Sequence, residues 1–529
     1  MSSDKSSVQR KDGVVYTPDW VVELMVETLF THRPFDEKSV VLDPACGDGA
    51  FLRGVARHLI KRSEQLGLSP SQTSEILSNS LSGYDIDPLA LEVCKSSLDL
   101  ITAEASLPKV NWQLGCANSL FDTDGPLGSV GLYTHIIANP PYIRIQDLDV
   151  DERRLLQKQY AFCQRGSTDI FLAFFELSLN ILGPDGVLAF INSRSFFDSA
   201  AAADFRRSVS DNLLIREIID FGDDQVFPDV TTYTAVTVLS GRLGATHKSV
   251  KVRRHSAATH TDSWSCMVPA ETFGAERWHI MPYEDQLFIK DVESRGPKLG
   301  EVAAIRVGLA TLRDKIYVGK LLDDSWENSS SKICKIMSGT GESFEIEKSA
   351  LRRIVKVSTV KADDEDQRLV IIFPYNSASS SPLPWTEEDQ TSHPLAMSYL
   401  SSHRNVLAER GHDVRSWFEY GSTQGLATLF GEKILVSSMT EHGEVYFWSK
   451  PEFTLYSGYA IFFAGDVGAL HKRLCQEDFK RYVKLCGRTL RGGWFSMTKS
   501  SLFNFSLRRE EWIALGIPEE KLTATIFDH

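Results

Sequence analysis

The chain has 529 residues, of which 42% are hydrophobic and 24% charged, and carries a formal net charge of −13. That length exceeds one ordinary hydrophobic core and predicts two domains of globular composition. No apolar run is long enough to span a bilayer and the start, MSSDKSSVQRKDG, lacks a signal-peptide core, so no membrane partner is expected. The eight cysteines are scattered without a Cys-x-x-Cys pair, which argues against a zinc site or disulfide framework and fits a reducing cytoplasm. Residues 1–244 hold 21 Lys+Arg against 33 Asp+Glu, whereas the remainder holds 36 against 37. The acidity belongs to the first part, and net charge alone neither supports nor excludes DNA.

After a polar start, Tyr16-Thr17-Pro18-Asp19 opens a helix, with Thr17 as N-cap, Pro18 at the first helical position and Asp19 in the first turn. Thr17 and the free amides there form a candidate anion contact. Val40-Val-Leu42 then leads through Asp43-Pro44-Ala45-Cys46-Gly47-Asp48-Gly49 into a helix from about Ala50 to Leu66. Strand, glycine turn and helix are the entry unit of a doubly wound α/β sheet, whose ligands sit at the carboxyl ends of the strands. Gly47 and Gly49 let the backbone approach a ligand, and the absence of a Gly-Lys-Ser/Thr ending excludes a phosphate loop.

Residues 67–82 are Ser-rich and read as a loop and turn. Leu81-Ser-Gly-Tyr-Asp85-Ile86-Asp87-Pro88 reads as a second strand ending in acids, followed by a helix from Pro88 to about Ala105. Asp85 stands where such folds grip ribose hydroxyls, Ile86 would pack on an adenine face, and Asp87 reads as a helix cap. A third strand ends near Asn118. The fourth, Tyr133-Thr-His-Ile-Ile, breaks at Ala138-Asn139-Pro140-Pro141-Tyr142. Two prolines leave nearby carbonyls without amide partners, Asn139 adds an oxygen acceptor, and Tyr142 adds a flat ring. Two acceptors beside an aromatic face suit a planar substrate with an NH2 group, such as a nucleobase; a plain strand-to-loop turn is the alternative. Further helices are expected at about 150–160, 168–182 and 198–212, and further strands at 187–192, 215–221 and 234–239, with Phe227 in the connection between the last two.

Together these motifs resemble, over residues 14–240, the catalytic domain of the gamma-class (TaqI-like) adenine-N6 DNA methyltransferases of restriction–modification systems. The resemblance is carried by Tyr-Thr-Pro, Asp-Pro-Ala-Cys-Gly-Asp-Gly, Gly-Tyr-Asp-Ile-Asp-Pro, Asn-Pro-Pro-Tyr, Gly-Val-Leu-Ala-Phe and Val-Phe-Pro, in the family's order. It implies a class I methyltransferase fold, a seven-stranded, mostly parallel sheet with its last strand antiparallel. It also implies S-adenosylmethionine as methyl donor, held by Tyr16, Thr17, Asp43, Pro44, Ala45, Cys46, Gly47, Gly49, Asp85, Ile86 and Asn118. The family has an Asp near the position of Asn118, and Asp122 is the alternative contact to the cofactor adenine. Asn139, Pro140, Tyr142 and Phe227 become the catalytic set, acting on an adenine flipped from duplex DNA without a metal. A separate cognate restriction endonuclease acting on the same site is an implied partner.

Residues 245–529 then form an α+β target-recognition domain, and residues 1–244 the catalytic domain. Lys248–His255 is a basic run that reads as a solvated face. Leu299–Val318 resembles a segment of target-recognition domains in this group, and Arg481, Lys484, Arg488, Arg491 and Lys499 are candidate phosphate contacts. Asp363–Asp366 and Asn376–Pro382 read as loops. The rival enzymes are a protein glutamine-N5 methyltransferase, which shares Asn-Pro-Pro-Tyr but is short, and an RNA methyltransferase.

Overall fold

The structure, a computed structural model, describes residues 17–122, 126–166, 168–227, 232–242, 247–357, 368–376, 382–409, 416–422, 425–426 and 431–522. It divides into two compact units, Met1–Gln286 and Leu287–His529. In the first, strands β1 (Val41–Asp43), β2 (Leu81–Asp85), β3 (Gln113–Cys116), β4 (Tyr133–Ala138), β5 (Leu182–Ser193), β6 (Ile215–Asp220), β7 (Thr234–Ser240), β8 (Ser249–Ser256) and β9 (Thr261–Pro269) form one sheet. Its order is β3-β2-β1-β4-β5-β7-β6-β8-β9. Strands β1 to β5 run parallel, and β7 lies antiparallel between β5 and β6, as a class I methyltransferase sheet requires.

Side-chain alternation builds the two faces. Along β5, Leu188 and Phe190 enter one apolar cluster, whereas Val187, Ala189 and Ile191 enter the other. The second cluster is filled by helices α1 (Asp19–His32), α2 (Ala50–Gln65) and α4 (Pro88–Glu104). The first is filled by α6 (Phe171–Ile181) and α7 (Ala203–Asp211), with Leu156 of α5 (Val150–Gln159). Each buried strand therefore has both faces covered by helices, which is why the strands read as near-continuous apolar runs.

Several expectations change here. Residues 70–80 are a helix, α3 (Pro70–Ser80), not a loop. Ser69 and Gln72 close a reciprocal capping box with Pro70 in the first turn, a start signal that outweighs the serine content. Helix α1 begins at Asp19 with Pro18 as its N-cap, so Thr17 caps nothing. The sheet has nine strands rather than seven, because β8 pairs parallel with β6 and β9 pairs antiparallel with β8. Those two strands draw residues beyond 244 into the first unit, and the division falls at Gln286–Leu287.

The basic run Lys248–His255 is thus strand β8 and not a solvated face. Arg253, only 8% exposed, bonds Glu217 of β6 through Nε at 2.6 Å and Asp262 of β9 through Nη1 at 3.0 Å. Glu217 also meets His32 of α1 at 2.7 Å and Lys251 at 3.3 Å, while Arg254 reaches Asp220 and Asp223. Burial pushes the Glu217 carboxyl up, but the His32 hydrogen bond and the Arg253 and Lys251 charges overcome it and bring it down to about 2. The cations answer part of the acidity of the preceding residues.

In the second unit a six-stranded sheet places Ser343–Glu347, Ile333–Ser338, Val318–Leu321, Leu369–Ile372, Leu351–Lys356 and Thr454–Tyr456 side by side in that order. A four-stranded sheet joins Ala303–Val307, Tyr459–Phe463, Lys433–Val436 and Val445–Trp448. The target-recognition-like segment Leu299–Val318 supplies the strand Ala303–Val307 and the short helix Asp314–Tyr317. The acid run Asp363–Asp366 and residues 377–381 lie outside the described residues. No described helix is long and apolar enough to cross a membrane.

Candidate active site

The carboxyl ends of β1, β2, β3 and β4 open onto a cleft of about 860 Å³. Thr17, Asp43, Pro44, Ala45, Cys46, Gly47, Asp85, Ile86, Asn118, Asn139 and Pro140 all line it. Sequence segments more than a hundred residues apart meet there because parallel strands end on the same side of the sheet. Tyr16 lies outside the described residues. Gly49, Tyr142 and Phe227 are described but do not line the cleft.

The loop after β1 is held by Asp85. One carboxylate oxygen accepts from Gly47 N–H at 2.8 Å and the other from Asp87 N–H at 2.9 Å, while Cys46 N–H donates to Tyr84 carbonyl oxygen at 2.9 Å. The two glycines of the loop have different reasons. Gly47 has φ +52° and no atom within 4 Å of where a Cβ would stand, so it faces open cleft. Gly49 has φ +84°, and a Cβ there would overlap the Cys94 thiol of α4, so helix packing and not ligand approach requires it. Asp87 caps α4, accepting from Leu89 N–H at 2.8 Å. Ile86 is 67% exposed at the cleft, an apolar side chain left open to a flat partner.

At the third strand, Asn118 lines the cleft and its Oδ1 accepts from Leu120 N–H at 3.2 Å. Asp122 instead turns its carboxylate onto Asn118 N–H at 2.7 Å, closing the loop from behind. Ser119 locks the same loop to Pro44 carbonyl oxygen at 2.6 Å.

Asn139 is held at both ends of its amide. Nδ2 donates to Thr17 Oγ1 at 3.2 Å, and Oδ1 accepts from Tyr142 O–H at 2.8 Å, with Ile191 carbonyl oxygen a longer alternative for that hydroxyl at 3.4 Å. Thr17, 5% exposed, therefore positions Asn139 where the sequence suggested a helix cap. An amide oxygen carries two lone pairs, the number of hydrogen bonds it can accept. Burial pushes the Tyr142 hydroxyl well above its usual range, with Asp169 adding to the effect, so it stays a donor. Its ring meets the buried Phe227 ring edge-on, 6.3 Å between centroids at 60°.

Several lining residues carry no motif signal. Phe121, Ile143, Leu148, Ile170 and Phe174 supply apolar wall, and Asp147, Asp149 and Glu152 reach the cleft from the segment after Asn-Pro-Pro-Tyr. Only the acid-rich start of α5 hinted at the last group. Seven described lining residues are Asp or Glu, and none is Lys, Arg or His. Asp43, 1% exposed, shows the result: burial, with Asp85 and Asp48 nearby, raises its carboxyl well above the usual range despite the Ala45 amide it accepts. Such a cleft favours a ligand with positive charge and disfavours phosphates.

In the second unit, Arg481, Lys484, Arg488 and Lys499 are exposed, with Arg481 over the Phe288 ring at 4.3 Å. The Arg491 side chain is outside those described.

The Eco57I restriction-modification methylase family matches residues 79–227. Type II methyltransferase M.BstVI of Geobacillus stearothermophilus is 25% identical over 340 residues, covering 58% of this chain and 60% of its own length. Type II methyltransferase M.PaeR7I of Pseudomonas aeruginosa is 23% identical over 522 residues, covering 91% and 83%. Among solved structures, that of the Type IIL restriction-modification enzyme MmeI in complex with DNA shares the fold with a TM-score of 0.59 at 12% identity, covering 92% of this chain and 64% of that one. The strand order agrees with this match, and residues 79–227 are similar to the Eco57I restriction-modification methylase family.

Proposed function

We propose that the chain is a site-specific DNA adenine-N6 methyltransferase using S-adenosylmethionine, the modification enzyme of a restriction–modification system. The observation that carries this reading is the Asn139 amide, clamped by Thr17 and Tyr142 at the rim of an acidic cleft. The residues fit the cofactor. A sulfonium and an ammonium would offset the acidic residues that line the cleft. Asp85 retains lone pairs for ribose hydroxyls, and Ile86 and Phe121 offer apolar faces to an adenine; Asn118 lining the cleft, with Asp122 turned onto Asn118 N–H, supports Asn118 as the contact to its edge. Bound there, S-adenosylmethionine supplies an electrophilic methyl group.

The chain's part is to make a poor nucleophile attack. Adenine's exocyclic lone pair is delocalised into the ring. Asn139 Oδ1 and the Pro140 carbonyl each accept one of its N–H bonds, holding both hydrogens out of the ring plane and freeing the pair. That is positioning with electrostatic stabilisation, and it needs no strong base beforehand. Flipping the base costs a few kcal/mol, and stacking on the Tyr142 ring, which the buried Phe227 backs edge-on, offsets about 1–3 kcal/mol of it. The second unit is read as the target-recognition domain on its exposed cations and on a shared fold with MmeI, itself solved with DNA.

Sequencing the modified bases in DNA from cells expressing the chain tests the reading and yields the recognition site. N6-methyladenine at one motif is expected; unmodified DNA, with labelled methyl appearing in RNA or a release factor, would refute it. Asn139→Ala should abolish methylation while S-adenosylmethionine binding persists, and full turnover of that variant would sink the acceptor mechanism.

A further inference from the structure

Strands β8 and β9 lie outside every motif, yet their hairpin holds the segment that leads to Phe227. Arg254 of β8 donates from Nη2 to Asp223 Oδ1 at 2.6 Å, and its Nη1 stands 3.6 Å from Asp220 Oδ2 at the end of β6. Gly222, between those two acids, has φ +59°, and a Cβ there would overlap the Arg254 guanidinium. The guanidinium therefore occupies the place of a side chain in the turn. Just past β8, Ala257 N–H donates to Asp224 Oδ2 at 2.8 Å. The turn is closed from within as well: Asp220 Oδ1 accepts from Gly222 N–H at 2.9 Å, and Asp224 N–H donates to Phe221 carbonyl oxygen at 3.1 Å. The hairpin is itself fixed, since His260 stacks on Trp20 of α1 at 4.6 Å and 17°, and His255 bonds Asp262 of β9 at 2.7 Å. Three residues beyond Asp224 the chain reaches Phe227, which is 1% exposed and meets the Tyr142 ring edge-on.

We propose that Arg254 is a positioning residue for base capture: it fixes the turn at residues 220–224, and with it Phe227, so that the Tyr142 ring is backed at the angle on which a flipped adenine stacks. This rests on the adenine reading above. A guanidinium suits the task because its planar fork reaches two carboxylates at once, whereas an ammonium acts as a single point. Asp220, 1% exposed, keeps a second cation, with Arg194 Nη1 3.4 Å from its Oδ1. Removing Arg254 therefore does not leave that buried charge uncompensated. What is lost is the bond to Asp223, and what is released is the turn.

The test is single-turnover methylation of a duplex carrying the mapped site, paired with fluorescence of 2-aminopurine at the target position, for wild type, Arg254→Gln, Asp223→Asn and the double variant. Arg254→Gln should slow methylation by about tenfold, the value of one charge-assisted hydrogen bond. It should also cut the fluorescence rise on binding, with S-adenosylmethionine affinity unchanged by calorimetry. Asp223→Asn leaves β8 and the Asp220 pairs in place and should show the same losses. The double variant should be no slower than Arg254→Gln, because both changes remove one bond. A merely structural role would lower the melting temperature and leave the rate and fluorescence of the folded protein at wild-type values. That result, or additive losses in the double variant, overturns the proposal. A wild type that methylates no DNA adenine would sink the adenine reading and the proposal with it, whereas variants matching an active wild type sink the proposal alone.

Discussion

Gly49→Ala is expected to damage the fold at the cofactor loop by an amount the geometry specifies. Gly49 has φ +84°, and holding an alanine there costs about 1–2 kcal/mol. The new Cβ also overlaps Cys94 Sγ and stands 3.1 Å from Cys94 Cβ, and Cys94 is fully buried against α2, so relief requires backbone movement. Overpacking of this kind costs about 1–3 kcal/mol, giving roughly 2–5 kcal/mol in all. Gly47→Ala carries only the strain, about 1–2 kcal/mol, because its Cβ meets nothing within 4 Å. Its methyl enters the cleft, so its loss falls on S-adenosylmethionine affinity. Urea unfolding of the first transition, with calorimetric titration of the cofactor, separates the two. Cys94→Ala in the Gly49→Ala background should recover the overpacking share, a coupling of about 1–3 kcal/mol. Strict additivity in that cycle, or a Gly49→Ala protein as stable as wild type, would refute the packing argument.

Two further outcomes are expected from the geometry. The Glu217 carboxyl is held near 2 in the folded protein against an ordinary 4.5, so it stabilises the fold above pH 4.5 and that stability is lost as pH falls towards 2. The shift corresponds to about 3 kcal/mol as an upper figure. Glu217→Gln should lower the melting temperature at pH 7 and flatten the acid limb; parallel acid limbs in the two proteins would contradict the network. Tyr142→Phe removes the 2.8 Å donor to Asn139 Oδ1 while Thr17 still holds Nδ2. Single-turnover methylation should slow by about 3–10-fold, the value of one neutral hydrogen bond, with cofactor binding intact. A rate equal to wild type would show that Tyr142 does not orient Asn139.

The sheet was legible in the sequence because its strands are short apolar runs ending in motif residues, and both signals are local. Asp43, Asp85, Asn118 and Asn139 each close a strand, so strand ends alone placed most of the cleft. The extra strands β8 and β9 were not legible. A basic strand looks like a solvated face until the carboxylates of Glu217, Asp220, Asp223 and Asp262, drawn from other segments, are seen to neutralise it. Helix α3 is a different case, since its capping box is local in sequence but its serine content is that of a loop.

Residue identity and order by themselves determined the methyltransferase fold and the Asn-Pro-Pro-Tyr loop at the end of β4. Tertiary structure alone decided how that loop is held. Thr17 grips the Asn139 amide from 122 residues away, and Asp122 turns back on Asn118. Gly47 faces the cleft while Gly49 faces Cys94, though the two share one motif. The reason is physical: a motif records which groups a site needs, whereas direction, burial and charge balance come from segments that meet only when the sheet closes.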